Sequence, residues 1–455
     1  MPHAPERPVR FSTGPSRGHR PAPASCREFT WFTGADHKPC IVSYNSPMNE
    51  TTNPFAPGAG TQPPELAGRE QIISNVRVAL GRVKAGRAAK SQMLLGLRGV
   101  GKTVLLNRIA DIAESDGYET VVLEAPEDRR LADMLVPPLR HLLFKLSRTE
   151  RAGAVAKKGL GILRAFAKAF KVKVGDVEFT VEPETGTADS GSLEADLPEV
   201  LLAVSRAAKE AGSAVAVLID EVQYLSEQDL AALIVGVHRV AQKSLPFVVF
   251  GAGLPQLTAL AGEAKSYAER LFEFPEVGPL DSAAARDAIV APLRRAEVDI
   301  EPEAVDLILR TTKGYPYFLQ EWGYHTWNVA NDSPIVEADA KRATAQALHA
   351  LDKGFFRVRF DRLTPREKDY VRAMAELGPG THRSGEIAQK LGIDTMAAGP
   401  LRNTLIKKGM IYSPQHGDNA FTGPMFDEFM LRSMPEWSPT LGAASDTKAK
   451  RKKRR

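Results

Sequence analysis

The sequence predicts an α/β fold, a parallel sheet covered by helices on both faces, followed by a helical region and a small mixed unit. Three observations carry this. Apolar runs of strand length alternate with helical stretches from residue 92 to residue 277, the pattern of strands buried on both faces. The glycine-rich stretch GLRGVGKT, residues 96–103, follows the first such run and opens a helix. Beyond residue 280 the strand pattern stops and helical segments run to about residue 351.

In chain order, residues 1–63 are rich in Pro, Gly and Ser without either period and are expected to be disordered. Met48 is an alternative start, which leaves the translation of residues 1–47 open. The run MLLGL is a strand, residues 102–115 a helix, ETVVLEA a strand and residues 131–146 a helix. Residues 151–195 interrupt the alternation. Residues 151–173 are basic and free of acids, with Leu160, Leu163, Phe166 and Phe170 near helical spacing. An amphipathic helix covering the sheet fits this, and a surface for nucleic acid, membrane or a partner is the alternative. KVKVGDVEFTV alternates around Gly175-Asp176, a hairpin signal. The alternation resumes with a helix at 197–211, the strand AVAVLID, a helix at 230–243, and the runs FVVFGAG and FEFPEV.

The last unit opens with LTPREKDYVRAMAEL, an N-capped helix with Pro365 just inside. RSGEIAQKLG is a short helix with Ile387 and Leu391 inward and a stop at Gly392. Residues 394–410 supply a second helix, with Pro400 expected in its first turn, and IYS and NAFTG are short strands around a turn.

Composition narrows the function classes. The apolar fraction of 43% and charged fraction of 25% are ordinary for a globular chain. No run approaches a membrane span and no signal peptide opens the sequence. The cysteines are Cys26 and Cys40, both in the leader, so a reducing, cytoplasmic setting is expected. The net charge of +5 belongs to the leader and to the tail at 448–455; the body between them is acidic. Any nucleic-acid surface is therefore local. No zinc spacing, nucleophile elbow or dinucleotide fingerprint is present.

The chemistry sits in two stretches. GLRGVGKT fits GxxxxGK[ST] in the strand-to-helix context that this motif needs. Its glycines let backbone N–H groups converge on phosphates, and the helix adds the positive end of its dipole. Gly96, Leu97, Arg98, Gly99, Val100, Gly101, Lys102, Thr103 and Val104 are the expected nucleotide contacts. Lys102 reaches the β- and γ-phosphates and the Thr103 hydroxyl ligates Mg²⁺. The second stretch, AVAVLIDEVQYL, is a buried strand that delivers Asp220 and Glu221 at its C-terminal edge, where ligands bind in such sheets. Asp220 suits the metal shell, and Glu221 suits polarising the attacking water.

With both motifs in place, the chain resembles the additional-strand P-loop NTPases of the AAA+ and STAND types, most of all the origin-recognition-like and archaeal-ATPase-like members. The resemblance spans residues 65–432. It implies an ATPase that binds ATP and Mg²⁺, an α/β core with a helical lid, and a C-terminal winged-helix domain. The implied organisation is a leader at 1–63, a core at 64–280 with its insertion at 151–195, a lid at 281–352, a winged helix at 353–432 and a basic tail at 433–455. Gly68 and Arg69, in LAGRE, match the segment that lies beside adenine in this family. Gly251-Ala252-Gly253 falls at the sensor-1 position, where only small residues stand here. Arg270 falls where the family places an arginine on the γ-phosphate, often that of a neighbouring subunit, which leaves a homo-oligomer open; a structural ion pair is the alternative. Gly314-Tyr315-Pro316 resembles the STAND GxP signature, with Pro316 near the nucleotide or simply at a helix start. In the winged helix, Arg402, Lys407 and Lys408 lie on the second helix of the pair, as DNA contact needs. The leading expectation is an ATPase whose nucleotide state controls DNA binding or remodelling. The alternative is a signalling switch whose winged helix contacts protein.

Overall fold

The computed structural model describes residues 48–58, 60, 63, 66–127, 129–172 and 181–439. Most of the leader, the hairpin expected around Gly175-Asp176 and the basic tail lie outside the described residues. The core opens with α1 (Glu70–Lys84), β1 (Ser91–Leu95), α2 (Lys102–Ser115), β2 (Tyr118–Glu124), α3 (Leu131–Ser147), α4 (Gly153–Ala169) and α5 (Leu193–Glu210). It continues with β3 (Ala214–Asp220), α6 (Glu227–Gln242), β4 (Phe247–Gly253), α7 (Leu257–Ala264), α8 (Ala268–Leu271) and β5 (Phe272–Glu273). All five strands are parallel, in the order β2-β3-β4-β1-β5. One strand, β4, thus stands between β1, which precedes the glycine-rich loop, and β3, which ends in Asp220.

The apolar strands bury both faces. Ala214, Ala216 and Leu218 of β3 face α1 and α2, while Val215, Val217 and Ile219 face the layer of α3 to α6. This is the period-2 alternation of a strand that is covered twice. The basic segment after residue 151 forms α4, packed between α3 and α5 with Leu163 and Phe166 buried in that second layer. Two of its cations are paired, Lys158 with Glu184 and Arg164 with Glu182.

Four helices follow as the lid: α9 (Ser282–Arg295), α10 (Pro302–Thr312), α11 (Pro316–Val329) and α12 (Glu337–Leu351). A π-helical turn at Asp352–Phe356 and the short α13 (Arg357–Asp361) lead into the last unit. That unit comprises α14 (Pro365–Glu376), β6 (His382–Arg383), α15 (Ser384–Leu391), α16 (Thr395–Lys407), β7 (Ile411–Tyr412), β8 (Asp418–Phe421) and α17 (Phe426–Ser433). Its strands pair antiparallel in the order β6-β8-β7, the element order and pairing of a winged helix. Among the described residues, no helix is long and apolar enough to cross a membrane.

Three expectations need correction. Disorder through residue 63 does not hold for the described residues 48–58: Phe55 is buried against Gly323, and the Trp327 indole donates to Asn49 O at 2.9 Å. Burial of the Phe55 ring works against the entropy of ordering its neighbours, which composition alone does not reveal. The tail likewise starts later than residue 433. Trp437 donates to Asp369 Oδ1 at 2.8 Å, and Arg372 Nε donates to Met434 O at 2.9 Å. Pro400 is in the second turn of α16, not the first. Asp394 caps the helix by accepting from Met396 N, so the first turn is complete before the proline.

Candidate functional site

The chain leaves β1 and turns at Gly96, whose N–H donates to Gly253 O at the end of β4. A Cβ at Gly96 would lie 2.2 Å from Val277 O, so no other residue fits there. Gly101 caps α2 at φ +88°, a conformation that glycine adopts without penalty. Arg69 braces the loop from behind, donating from Nη2 to Val100 O at 3.1 Å and to Gly278 O at 2.6 Å. Lys102 is folded into the loop's own curl, with Nζ donating to Gly96 O and Leu97 O, both at 3.0 Å. Burial pushes its amine down to about 8, against the opposing pull of Glu221 and Asp220.

On the facing strand end, the Thr103 hydroxyl donates to Asp220 Oδ2 at 2.6 Å. Burial raises the Asp220 carboxyl, and the Thr103 bond partly opposes the shift. Glu221 takes a left-handed backbone, φ +53°, and its N–H donates to Asp220 Oδ1 at 2.8 Å. That conformation costs a non-glycine residue about 1 kcal/mol and concentrates at functional sites. Two groups hold the Glu221 carboxylate. Gln223 donates to it from Nε2, and Arg98 Nη1 approaches at 3.9 Å. The other end of the Gln223 amide accepts from Leu254 N at 3.1 Å. A Cβ on Gly253 would lie 2.8 Å from that amide oxygen. The small residues at the end of β4 therefore make room for a polar group supplied by Gln223. Sequence reasoning missed Gln223, although its position two residues past Glu221 was a usable signal.

The loop, the strand end and the lid enclose a cavity of about 450 Å³, within the range of small-molecule sites. Its lining includes the apolar Ala56, Leu66, Ala67 and Ala288. Its charged lining residues include Lys102, Asp220, Glu221, Glu124, Arg98 and Arg359. Arg98, Gly99, Val100, Gly101, Thr103 and Val104 all line it. Gly96 and Leu97 contribute the carbonyls that accept from Lys102. Gly68 is not on the wall; it packs against Ala284 and Leu280, and the neighbouring Leu66 and Ala67 take its place. Pro316 lines the cavity and is also the first residue of α11. Tyr317 beside it donates N–H to Gly99 O at 3.1 Å. Tyr317, Phe355 and Arg359 were not anticipated, because they reach the wall only through the packing of the lid.

The cavity suits a magnesium nucleotide. Apolar residues share its lining with the glycine loop and Lys102, and a hydroxyl and a carboxylate 2.6 Å apart supply the hard oxygen ligands that Mg²⁺ takes. Among the described residues, Arg98 Nε is buried without a hydrogen-bond partner.

Arg270 lies elsewhere. It is exposed on α8, which leads into β5, and the start of β5 pairs with the start of β1. The loop follows the other end of β1, about 16 Å away for a strand of this length. Arg270 therefore does not reach its own chain's cavity.

The three basic residues on α16 and at its C-cap also differ from expectation. Arg402 is turned inward, donating to Asn419 Oδ1 at 2.7 Å and Ser413 Oγ at 2.8 Å, so it ties the helix to the hairpin. Lys408 pairs with the buried Glu367 at 2.7 Å and donates to Arg362 O at 2.9 Å. Lys407 alone of the three is exposed. Sequence spacing places a residue on a helix but not the partner that claims its charge.

Comparison with known proteins agrees with this architecture. Residues 65–250 match the family described as AAA ATPase domain, and residues 353–430 match a family described only as a domain of unknown function. An uncharacterized HTH-type transcriptional regulator of Methanocaldococcus jannaschii is 23% identical over 370 residues, spanning 78% of this chain and 86% of the relative. The solved Walker-type ATPase of Pyrococcus abyssi superposes with a TM-score of 0.52 at 19% identity, over 80% of this chain and 96% of that one. The P-loop between β1 and α2, the strand order with β4 inserted, and the family match together assign an AAA ATPase domain of P-loop NTPase fold to residues 65–250 of this chain.

Proposed function

We propose that the chain binds and hydrolyses Mg-ATP and uses its nucleotide state to control the C-terminal winged helix in DNA binding. One observation supports the coupling most directly: the N–H of Arg98, inside the phosphate loop, donates to Thr422 O of the C-terminal unit at 2.9 Å. In this reading residues 64–280 hold the nucleotide, 281–352 close over it and 353–432 carry the output. Lys102 and the loop amides bind the β- and γ-phosphates, Thr103 and Asp220 hold Mg²⁺, and Glu221 polarises the attacking water. Bound magnesium would neutralise charge developing on the phosphates. The chain's own groups orient the water and exclude solvent. The regulator from Methanocaldococcus jannaschii, with its helix–turn–helix description, supports DNA as the output partner.

A second reading has its own observation. The exposed surface of α16, with Met396, Pro400, Asn403 and Thr404, holds Lys407 as its cation, since Arg402 and Lys408 are engaged internally. A surface so poor in charge favours a switch whose winged helix meets protein. Titration of duplex DNA with Mg-ATPγS, with Mg-ADP and without nucleotide, at two salt concentrations, separates the two. Salt-sensitive binding that changes with nucleotide supports DNA. No binding at low salt in any state transfers the function to protein contact.

A further inference from the structure

The charged lining of the cavity holds one group that no motif assigns. Arg359 comes from α13, the short helix between the lid and the winged-helix unit. Its guanidinium lies 3.9 Å above the centre of the Phe355 ring and donates to Phe355 O. Phe355 stacks on Tyr317 at 5.0 Å, and Tyr317 N is bonded to Gly99 O of the phosphate loop. A continuous chain of contacts thus presses Arg359 against the loop. Among the described residues it has no carboxylate within ion-pair distance. Burial, with the nearby charge of Arg98, pushes it down to about 10. The groups that act on it electrostatically include Arg98, Glu221 and Tyr224, all at the end of β3 or on the loop beside it. Two guanidinium groups therefore lie near Glu221, and among the described residues only Arg98 comes within ion-pair distance of it.

We propose that Arg359 is a γ-phosphate ligand supplied by the same chain, so that ATP, and not ADP, draws the joint between lid and winged helix onto the nucleotide. The proposal rests on the Mg-ATP reading above. It makes the arginine that completes the site internal, whereas Arg270 lies beside the opposite end of β1. A planar guanidinium matches two phosphate oxygens at once, and a lysine supplies only a point charge.

Calorimetric titrations of the full chain with Mg-ATPγS and with Mg-ADP test this on wild type, Arg359→Ala and Arg359→Lys. A charge-assisted bond to phosphate predicts a loss of about 10- to 100-fold in Mg-ATPγS affinity for Arg359→Ala. Mg-ADP affinity should stay within about twofold, and Arg359→Lys should recover part of the loss. Wild type that binds neither nucleotide overturns the Mg-ATP reading and this proposal with it. Wild type that binds both, while Arg359→Ala weakens neither or weakens both equally, overturns the proposal alone. Should Arg359→Ala fail to fold, Arg359→Lys decides: an unchanged ratio of the two affinities then counts against a phosphate contact.

Discussion

In the proposed mechanism Lys102 and Glu221 act at different moments, and that difference is measurable. There Lys102 meets phosphate charge in the ground state, so Lys102→Ala is expected to abolish tight Mg-ATP binding. Glu221 is proposed to act on the water, so Glu221→Gln should leave binding intact and lower turnover by about 100-fold or more. Phosphate release beside calorimetry reads the two separately; equal turnover by Glu221→Gln and wild type would exclude the assignment. Gln223 is a positioning residue, clamped between Glu221 and Leu254 N. Gln223→Ala should lower kcat about tenfold while KM stays nearly constant, and Gln223→Glu should not rescue it, because two carboxylates repel. A rise in KM with kcat unchanged would place Gln223 in binding instead. Both carboxylates were legible in the sequence because an apolar strand must end where its charges can reach a ligand. Gln223 was not, since nothing about one amide declares its two partners.

Elements were legible where local pattern and burial agree. The sheet strands are apolar throughout, and α2 and β3 coincide with the segments read from the sequence. Legibility fails where a segment is ordered only by what it packs against. The stretch around Phe55 carries no period, yet its ring fills the space above Gly323 and Ala56 N donates to Gln320 on the cavity wall. Phe55→Ala should cost about 3 kcal/mol and also weaken nucleotide binding; a melting curve like that of wild type would show the contact is incidental. In the winged helix, Arg402 holds the hairpin, so Arg402→Ala should lower the melting temperature of the C-terminal unit. Lys407→Ala should leave folding alone and, if DNA binds, reduce the slope of log K against log salt by about one. A specificity change from Arg402→Ala without loss of stability would restore it as a base contact.

At the scale of the whole molecule, the lid and winged helix share one apolar core, running from Met48 through Trp322, Phe356 and Tyr370 to Met430. The sheet has its own cores on each face. Lid and winged helix should therefore move as one body against the sheet, joined to it at the phosphate loop. The joint is tight. Gly409 has φ +61°, and a Cβ there would lie 2.7 Å from Arg98 Nη2 and 2.9 Å from the Tyr224 hydroxyl, which are themselves bonded at 2.9 Å. Arg362 with Glu127 closes the same seam at 2.8 Å. No sequence pattern foretold this seam, because it depends on the angle at which two finished units meet. Amide hydrogen exchange across residues 409–422, compared between saturating Mg-ATPγS and Mg-ADP, measures the control most directly. If nucleotide state governs the C-terminal unit, exchange there should differ between the two nucleotides in wild type and not in Lys102→Ala. Identical exchange at 409–422 in both states, while the loop at 96–103 is protected by each nucleotide, would contradict the coupling and leave an ATPase whose winged helix is a fixed passenger.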